Sequence, residues 1–208
     1  TTFTICYAEG NGTVSDTTWR DSYIHLTMSK VESIVSHSVT HKTLGHIANN
    51  EAVVLTYVGS LPNNAWLSLV EQSLNGGYPC NGGTQPAASP DQYHSGPAQA
   101  GASDKSVSID TTGMDTGSTF AVCYAESGGD ASALWKDSAI RVQVVKLTAV
   151  AYLTTRSMKS STIPVTSAVV PQVANMSLVY SGILGTGQWI SLVDATLNNN
   201  VPCVVGSI

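Results

Sequence analysis

Phe120-Ala121-Val122-Cys123-Tyr124-Ala125-Glu126, with Trp135-Lys136-Asp137-Ser138 after it, is the stretch on which the fold turns, because it occurs twice. Phe3-Thr4-Ile5-Cys6-Tyr7-Ala8-Glu9 precedes it by 117 residues and Trp19-Arg20-Asp21-Ser22 by 116. Working outward, Leu55-Thr56-Tyr57-Val58-Gly59 returns as Leu178-Val179-Tyr180-Ser181-Gly182 at an offset of 123 residues. Trp66-Leu67-Ser68-Leu69-Val70 returns as Trp189-Ile190-Ser191-Leu192-Val193, and Pro79-Cys80 as Pro202-Cys203, at that same offset. Two copies of one unit are present, and the length differences fall between the matched blocks, where loops absorb insertions.

Inside the blocks the apolar period is two. Ile24, Leu26 and Met28 alternate with His25 and Thr27, and Ile140, Val142 and Val144 alternate with Arg141 and Gln143. That pattern is a strand with one buried face. Phe3, Ile5 and Tyr7, like Phe120, Val122 and Tyr124, form the strand before it, and short strands separated by Gly- and Asn-rich turns predict an all-β sandwich. Residues 64–75 fit a short helix as well as a strand; a strand followed by a turn is the favoured reading. Residues conserved between copies more often pack than bind, so Trp19, Trp66, Trp135 and Trp189, with Tyr7 and Tyr124, read as repeat core.

The phasing of the repeat matters more than its existence. The alternating Ser106-Val107-Ser108-Ile109 and the turn run Asp110–Gly117 stand before the second Phe/Tyr block only. If the unit closes with that block, residues 35–150 hold a complete sandwich whose last strand ends near residue 148. Residues 1–34 are then the closing hairpin of another sandwich, and 151–208 the opening strands of one.

Asp110–Glu126 and Trp135–Val144 resemble the late strands of tandem immunoglobulin-like β-sandwich repeats of eukaryotic surface proteins. The shared pattern is an alternating strand, a Gly-bracketed turn, Phe/Tyr-x-Val-Cys-Tyr and Trp-x-Asp-Ser-x-Ile, and it covers about half of the chain. Cys123 departs from the antibody pattern: it lies on the strand face opposite Phe120 and Val122, which argues against a disulfide through the core. With its open-ended phasing the chain resembles protomers of extracellular, strand-complemented filaments of algal or other protist surfaces. That resemblance implies a hairpin donated between chains, burying Phe3, Ile5, Ile24, Leu26 and Met28. Residue order alone also permits the termini to meet within one chain.

Four cysteines at duplicated positions, with no CxxC and no Cys/His zinc spacing, read as disulfides in an oxidising compartment. Under the complete-sandwich phasing Cys80 pairs with Cys123, and Cys203 pairs with Cys6 of its own chain or of a neighbour. Under a simple repeat the pairs are Cys6 with Cys80 and Cys123 with Cys203; the shorter loop favours the former. Asn11-Gly12-Thr13 and Asn175-Met176-Ser177 are N-glycosylation sequons. The Pro/Ala/Ser/Gly-rich segment 81–105 reads as an extended linker or mobile loop, with Thr84, Ser89 and Ser95 as O-glycosylation candidates.

Other chemistry is sparse. No Gly-x-Ser-x-Gly elbow, Walker loop, dinucleotide fingerprint or His-Glu-x-x-His occurs. His37, His41 and His46 form a possible metal cluster, but the other copy has no histidine there, so exposed loop histidines are the plainer reading. Glu9 with Asp21 and Glu126 with Asp137 recur as possible carboxylate pairs, although Asp at a strand start beside Arg20 or Lys136 more often closes a turn. Only 11% of residues are charged and 42% are hydrophobic, with a net charge of -5. Disorder requires the opposite balance. The nine basic residues are scattered, which offers no footprint for nucleic acid. No leader-like segment opens at Thr1 and no apolar run approaches the roughly 18 residues of a membrane helix, so the sequence reads as mature and soluble, without membrane insertion. The combined expectation is a secreted or cell-surface structural protein without enzymatic activity or cofactor, whose partners are copies of itself in a head-to-tail homopolymer and covalent glycans. The alternative is a glycan-binding or adhesive module.

Overall fold

The computed structural model describes residues 2–153, 158–162, 172, 174 and 177–203. The chain is all-β and divides into two compact units, Thr1–Lys30 and Val31–Ile208. The break falls at Lys30/Val31, four residues ahead of the boundary expected from sequence, because Val31 and Ile34 are buried in the core of the second unit.

The first unit is one antiparallel hairpin, β1 (Thr2–Tyr7) and β2 (Arg20–Thr27). Phe3 stands opposite Leu26 and Cys6 opposite Asp21, with a bulge between that puts two more residues in β2 than in β1. Asp21 holds the bulge by accepting from the Tyr23 N–H at 2.7 Å and the Thr4 hydroxyl at 2.9 Å. It places Tyr23 at φ 59°, a left-handed conformation that a bulge can impose.

The second unit opens with β3 (Val31–Ser36), β4 (Val39–His41), β5 (Leu44–Ile47), β6 (Val53–Gly59) and β7 (Trp66–Glu71). A helical turn α1 (Leu74–Gly77) follows, then β8 (Ala98–Gln99), β9 (Ser106–Ile109), β10 (Phe120–Ala125) and β11 (Trp135–Val144). Residues 66–71 are thus a strand, and the helical signal of the 64–75 stretch survives only as the turn after it. The strands form a five-stranded sheet, β5-β11-β10-β7-β8, and a four-stranded sheet, β4-β3-β6-β9. β5 joins β11 in parallel and the other pairs are antiparallel. Ile34, Leu55 and Tyr57 from one sheet meet Leu69, Phe120, Val122 and Ile140 from the other in a continuous core. This is a β-sandwich.

β10 is buried on both faces. Phe120, Val122 and Tyr124 point into the core, while Ala121, Cys123 and Ala125 point outward into a second apolar cluster with Val70, Cys80 and Trp135. Cys80 is bonded to Cys123 with a Cα–Cα distance of 5.3 Å. The bridge therefore clips the loop after α1 onto the outer face of the sheet.

That loop corrects the linker expectation for 81–105. Tyr93 and Ser95 lie along β7: the Glu71 N–H donates to the Tyr93 carbonyl at 2.9 Å, and the Leu69 N–H to the Ser95 hydroxyl at 2.8 Å. His94 is buried between Asp91 Oδ1 and Gln85 Oε1, each at 2.8 Å. β8 extends the same edge. The segment is a packed cover over the sheet, held by backbone pairing that its Pro/Ser/Gly composition does not reveal.

After the sandwich come β12 (Leu147–Leu153), β13 (Met158–Thr162) and β14 (Ser177–Gly182), in the order β13-β12-β14. They repeat β4-β3-β6. Leu147 faces Gly182 as Val31 faces Gly59, with the register shift in the same place. The Tyr180 hydroxyl donates to the Gly185 carbonyl at 2.8 Å, as Tyr57 does to Pro62 at 2.6 Å. A last helical turn, α2 (Leu197–Asn200), repeats α1. No counterpart of β9, β10 or β11 is paired to this sheet among the described residues.

Candidate functional site: two bare apolar surfaces

The hairpin β1–β2 is the hairpin β10–β11 without its surroundings. In both, the first-strand cysteine stands opposite an aspartate directly after a bulge with two extra residues in the second strand. The bulge bonds recur: Ala139 N–H to Asp137 Oδ1 at 2.7 Å and Ile140 N–H to Ser138 Oγ at 3.1 Å, against Tyr23 to Asp21 at 2.7 Å and Ile24 to Ser22 at 3.1 Å. Ala139 has φ 66°, matching Tyr23 at φ 59°. Both Trp side chains reach back to the hairpin loop, Trp135 Nε1 to the Asp130 carbonyl at 3.0 Å and Trp19 Nε1 to the Thr13 carbonyl at 2.9 Å.

Exposure separates the two. Phe120, Val122, Tyr124, Ile140, Val142 and Val144 are at most 2% exposed, whereas their counterparts Phe3, Ile5, Tyr7, Ile24, Leu26 and Met28 are 40–70% exposed. Scattered apolar surface residues are ordinary, but one contiguous apolar face on a two-stranded ribbon is not. In the sandwich β7 pairs with one edge of this hairpin and β5 with the other. β1–β2 is a sheet of two strands, with both outer edges unpaired in its unit.

The tail also carries a bare strip. Residues 189–194 are the counterparts of β7 but carry no strand pairing. Trp189 is 96% exposed, and Ile190, Leu192 and Leu197 are exposed too, while Leu67 and Leu69 in β7 are fully buried. The reading of all four Trp as repeat core therefore divides: Trp135 is buried and Trp66 half-buried, but Trp19 and Trp189 lie in the surface. Neither has around it the strands that cover its twin. Cys6 and Cys203 are likewise unbonded and exposed.

No protein-family model, curated protein or solved structure matches the chain. The internal comparison between its own two copies is therefore what interprets these surfaces.

The carbohydrate candidates are placed unevenly. Asn11 is exposed at the tip of the first hairpin, where its Oδ1 accepts from the Thr13 N–H at 3.0 Å and the Thr13 hydroxyl at 2.6 Å. Asn175 lies outside the described residues. Thr84 and Ser89 are exposed, but Ser95 is buried with its hydroxyl engaged at both ends, accepting from Leu69 and donating to the Gly96 carbonyl at 2.9 Å. Ser95 is no acceptor for a sugar.

The other chemical candidates do not converge. His37 sits in the β3–β4 turn beside Ser36, whereas His41 is buried against Gly45, which has no side chain to occupy the space of the ring. Burial and the neighbouring His46 hold the His41 imidazole below its ordinary pKa. His41 and His46 share a groove of about 660 Å³, and among the described residues no three His, Cys, Asp or Glu side chains come together as a metal site. Two of the duplicated carboxylates are engaged in ion pairs. Asp137 is paired with Arg141 at 2.7 Å and Glu126 with Lys136 at 3.7 Å. No helix among the described residues is long and apolar enough to cross a membrane.

Proposed function

We propose that this chain is a secreted structural protein, the protomer of an extracellular filament or surface coat, with immunoglobulin-like sandwiches completed head to tail. One observation carries the reading: the same hairpin, in the same register and with the same bulge, is buried in one copy and bare in the other. The bare hairpin has the shape of β10–β11 already set, so little ordering remains to be done on docking. Its receptor is the tail sheet β13-β12-β14 with the strip 189–194. Transposing the β10–β7 register pairs Ile5 with Leu192 and Tyr7 with Ile190. Burying each large apolar side chain contributes roughly 1.5–3 kcal/mol, less what the isolated hairpin already covers. Because head and tail are different surfaces, each junction leaves a free head and a free tail, and the contact propagates. The buried disulfide and the exposed Asn11 sequon support an oxidising, glycosylating route to the cell exterior.

Complementary variants test this. A head variant, Ile5→Asp with Leu26→Asp, and a tail variant, Leu192→Asp, are each expected to remain monomeric in sedimentation velocity while the natural chain forms polymers. Mixed in equal amounts they should stop at dimers, since only one functional junction is available. A natural chain that stays monomeric at high concentration, or a mixture that stays monomeric, refutes the reading; closure of the hairpin onto its own tail gives that result.

The exposed Trp19 and Trp189 favour a second reading, a glycan-binding module. Their twins Trp135 and Trp66 pack in the sandwich, which supports burial as their role. Tryptophan fluorescence that shifts on glycan addition but not on polymerisation would reverse the order of the two readings.

A further inference from the structure

We propose that Cys203 of one protomer and Cys6 of the next form a disulfide, a covalent staple at every junction; this rests on the hairpin-complementation reading and adds to it a bond between chains. The intact sandwich contains the template. Cys80–Cys123 joins the residue after Pro79 to the residue of β10 that follows the bulge, opposite Asp137. Cys6 occupies the Cys123 position in β1, opposite Asp21, with the bulge bonds in place. Cys203 occupies the Cys80 position, and its approach is equally preset. The residue before α2, Thr196, has φ -86° and ψ -10°, and the residue after it, Val201, φ -122° and ψ 66°. Ser73 and Tyr78 around α1 have φ -83°, ψ -14° and φ -119°, ψ 58°. Asn198 and Asn75 share a left-handed φ, 49° and 52°. The Val201 N–H donates to the Asn198 carbonyl at 3.2 Å as the Tyr78 N–H does to Asn75 at 3.3 Å. The segment leading to Cys203 thus repeats the one leading to Cys80, Cys6 stands in the strand register of Cys123, and both thiols are exposed and without a bond.

The surroundings of the bond are duplicated too. Cys80–Cys123 is buried with Val70, Ala125 and Trp135, and Trp66 and Leu74 pack against it. Val193, Ala8, Trp19, Trp189 and Leu197 stand at the corresponding positions. Docking brings Trp19 from the head and Trp189 from the tail over the new bond, which shields it from reductant.

The chemistry balances with glutathione disulfide as oxidant. A thiolate at Cys203 attacks one glutathione sulfur, forming a mixed disulfide and expelling one glutathione thiolate. After docking, Cys6, as thiolate, attacks the Cys203 sulfur, forms the protein bond and expels the second glutathione. Two protein thiols are oxidised, the glutathione disulfide is reduced to two thiols, and the two protons pass to solvent and the departing thiolates. Docking first raises the effective concentration of one cysteine near the other. It also dictates the pair, since a head meets only a tail.

The natural full-length chain is assembled with glutathione disulfide or with a mild reductant, and each sample is divided. One part is sedimented; the other is alkylated, run on non-reducing denaturing gels and mapped by mass spectrometry for disulfide-linked peptides. The expected result is polymer in both samples, with a ladder in the oxidised one only, a Cys6–Cys203 linked peptide, and loss of alkylation at both residues. Cys6→Ser and Cys203→Ser should each remove the ladder. Oxidised polymer in which Cys6 and Cys203 remain alkylatable, or links that are mainly Cys6–Cys6 or Cys203–Cys203, overturns the staple and leaves hairpin docking standing. Absence of polymer in both samples overturns the two together.

Discussion

Asp16 closes the tip of the first hairpin from outside the strands. Its carboxylate accepts from the Thr18 hydroxyl, from the Thr18 N–H at 2.8 Å and from the Gly12 N–H at 2.8 Å. With the Thr18 hydroxyl as the largest cause, its pKa falls from 3.8 to about 2. The ionised form is the one the folded tip prefers, so this contribution is complete above about pH 3.8 and is lost as the pH falls through about 2. Amide protection of Gly12 and Thr18, followed by NMR, should collapse over that interval, and Asp16→Ala should abolish it at neutral pH. Asp21 is lowered as well, through the Tyr23 N–H and then the Thr4 hydroxyl, so the bulge also loosens in acid. Ser95 is the comparable residue in the cover loop. Ser95→Ala leaves the buried Leu69 N–H without its side-chain acceptor, a loss of about 1–3 kcal/mol in denaturant unfolding. An unchanged midpoint would mean that another group satisfies that N–H.

Trp189–Asp194 is the element whose state should change most if the proposed docking occurs. Its sequence is that of β7, yet β7 is a strand because β10 and the Ser95 segment pair with its two edges. Without those neighbours the same pattern, Trp-Ile-Ser-Leu-Val, carries no ladder. On assembly, hydrogen exchange at Ile190 and Leu192 should slow to the level of Leu67 and Leu69, and Trp189 emission should shift to the blue. Retained fast exchange in polymer would show that the hairpin docks elsewhere. These elements also mark how far the sequence could be read. The Phe-x-x-Cys-Tyr and Trp-x-Asp-Ser blocks announce the hairpins, because alternation and a duplicated aspartate are local signals. The left-handed φ at Tyr23 and Ala139 has no such signal; it follows from Asp21 and Asp137 capturing the amide two residues on. The cover loop was hidden for another reason: Pro86, Ser89 and Pro90 look like linker, and what fixes the loop is pairing of residues 93–95 with β7 and a bond from Cys80 to a distant strand. The exposed tail and head were legible only as the two incomplete ends of a repeat.

At the scale of the whole molecule, 11% charged residues must keep in solution a chain with two bare apolar faces, the hairpin face and the tail strip. A net charge of -5 spread over 208 residues gives little mutual repulsion. Assembly driven by apolar burial should therefore respond weakly to ionic strength, because salt screens charges and leaves apolar contacts in place. A glycan at Asn11 would add solubility where it does not obstruct docking: Asn11 is in the loop beyond Tyr7 and Arg20, while the Phe3–Leu26 pair lies toward the opposite, open end of the hairpin. Asn11→Gln in a secreted preparation should lower the soluble yield while leaving the polymer fraction at a matched soluble concentration unchanged. Chain made in bacteria, without glycans, should sediment as short polymer and aggregate across a range of salt. A dispersed, stable monomer from that preparation would count against both parts of the argument, since neither glycan nor partner would then be needed to cover the two faces.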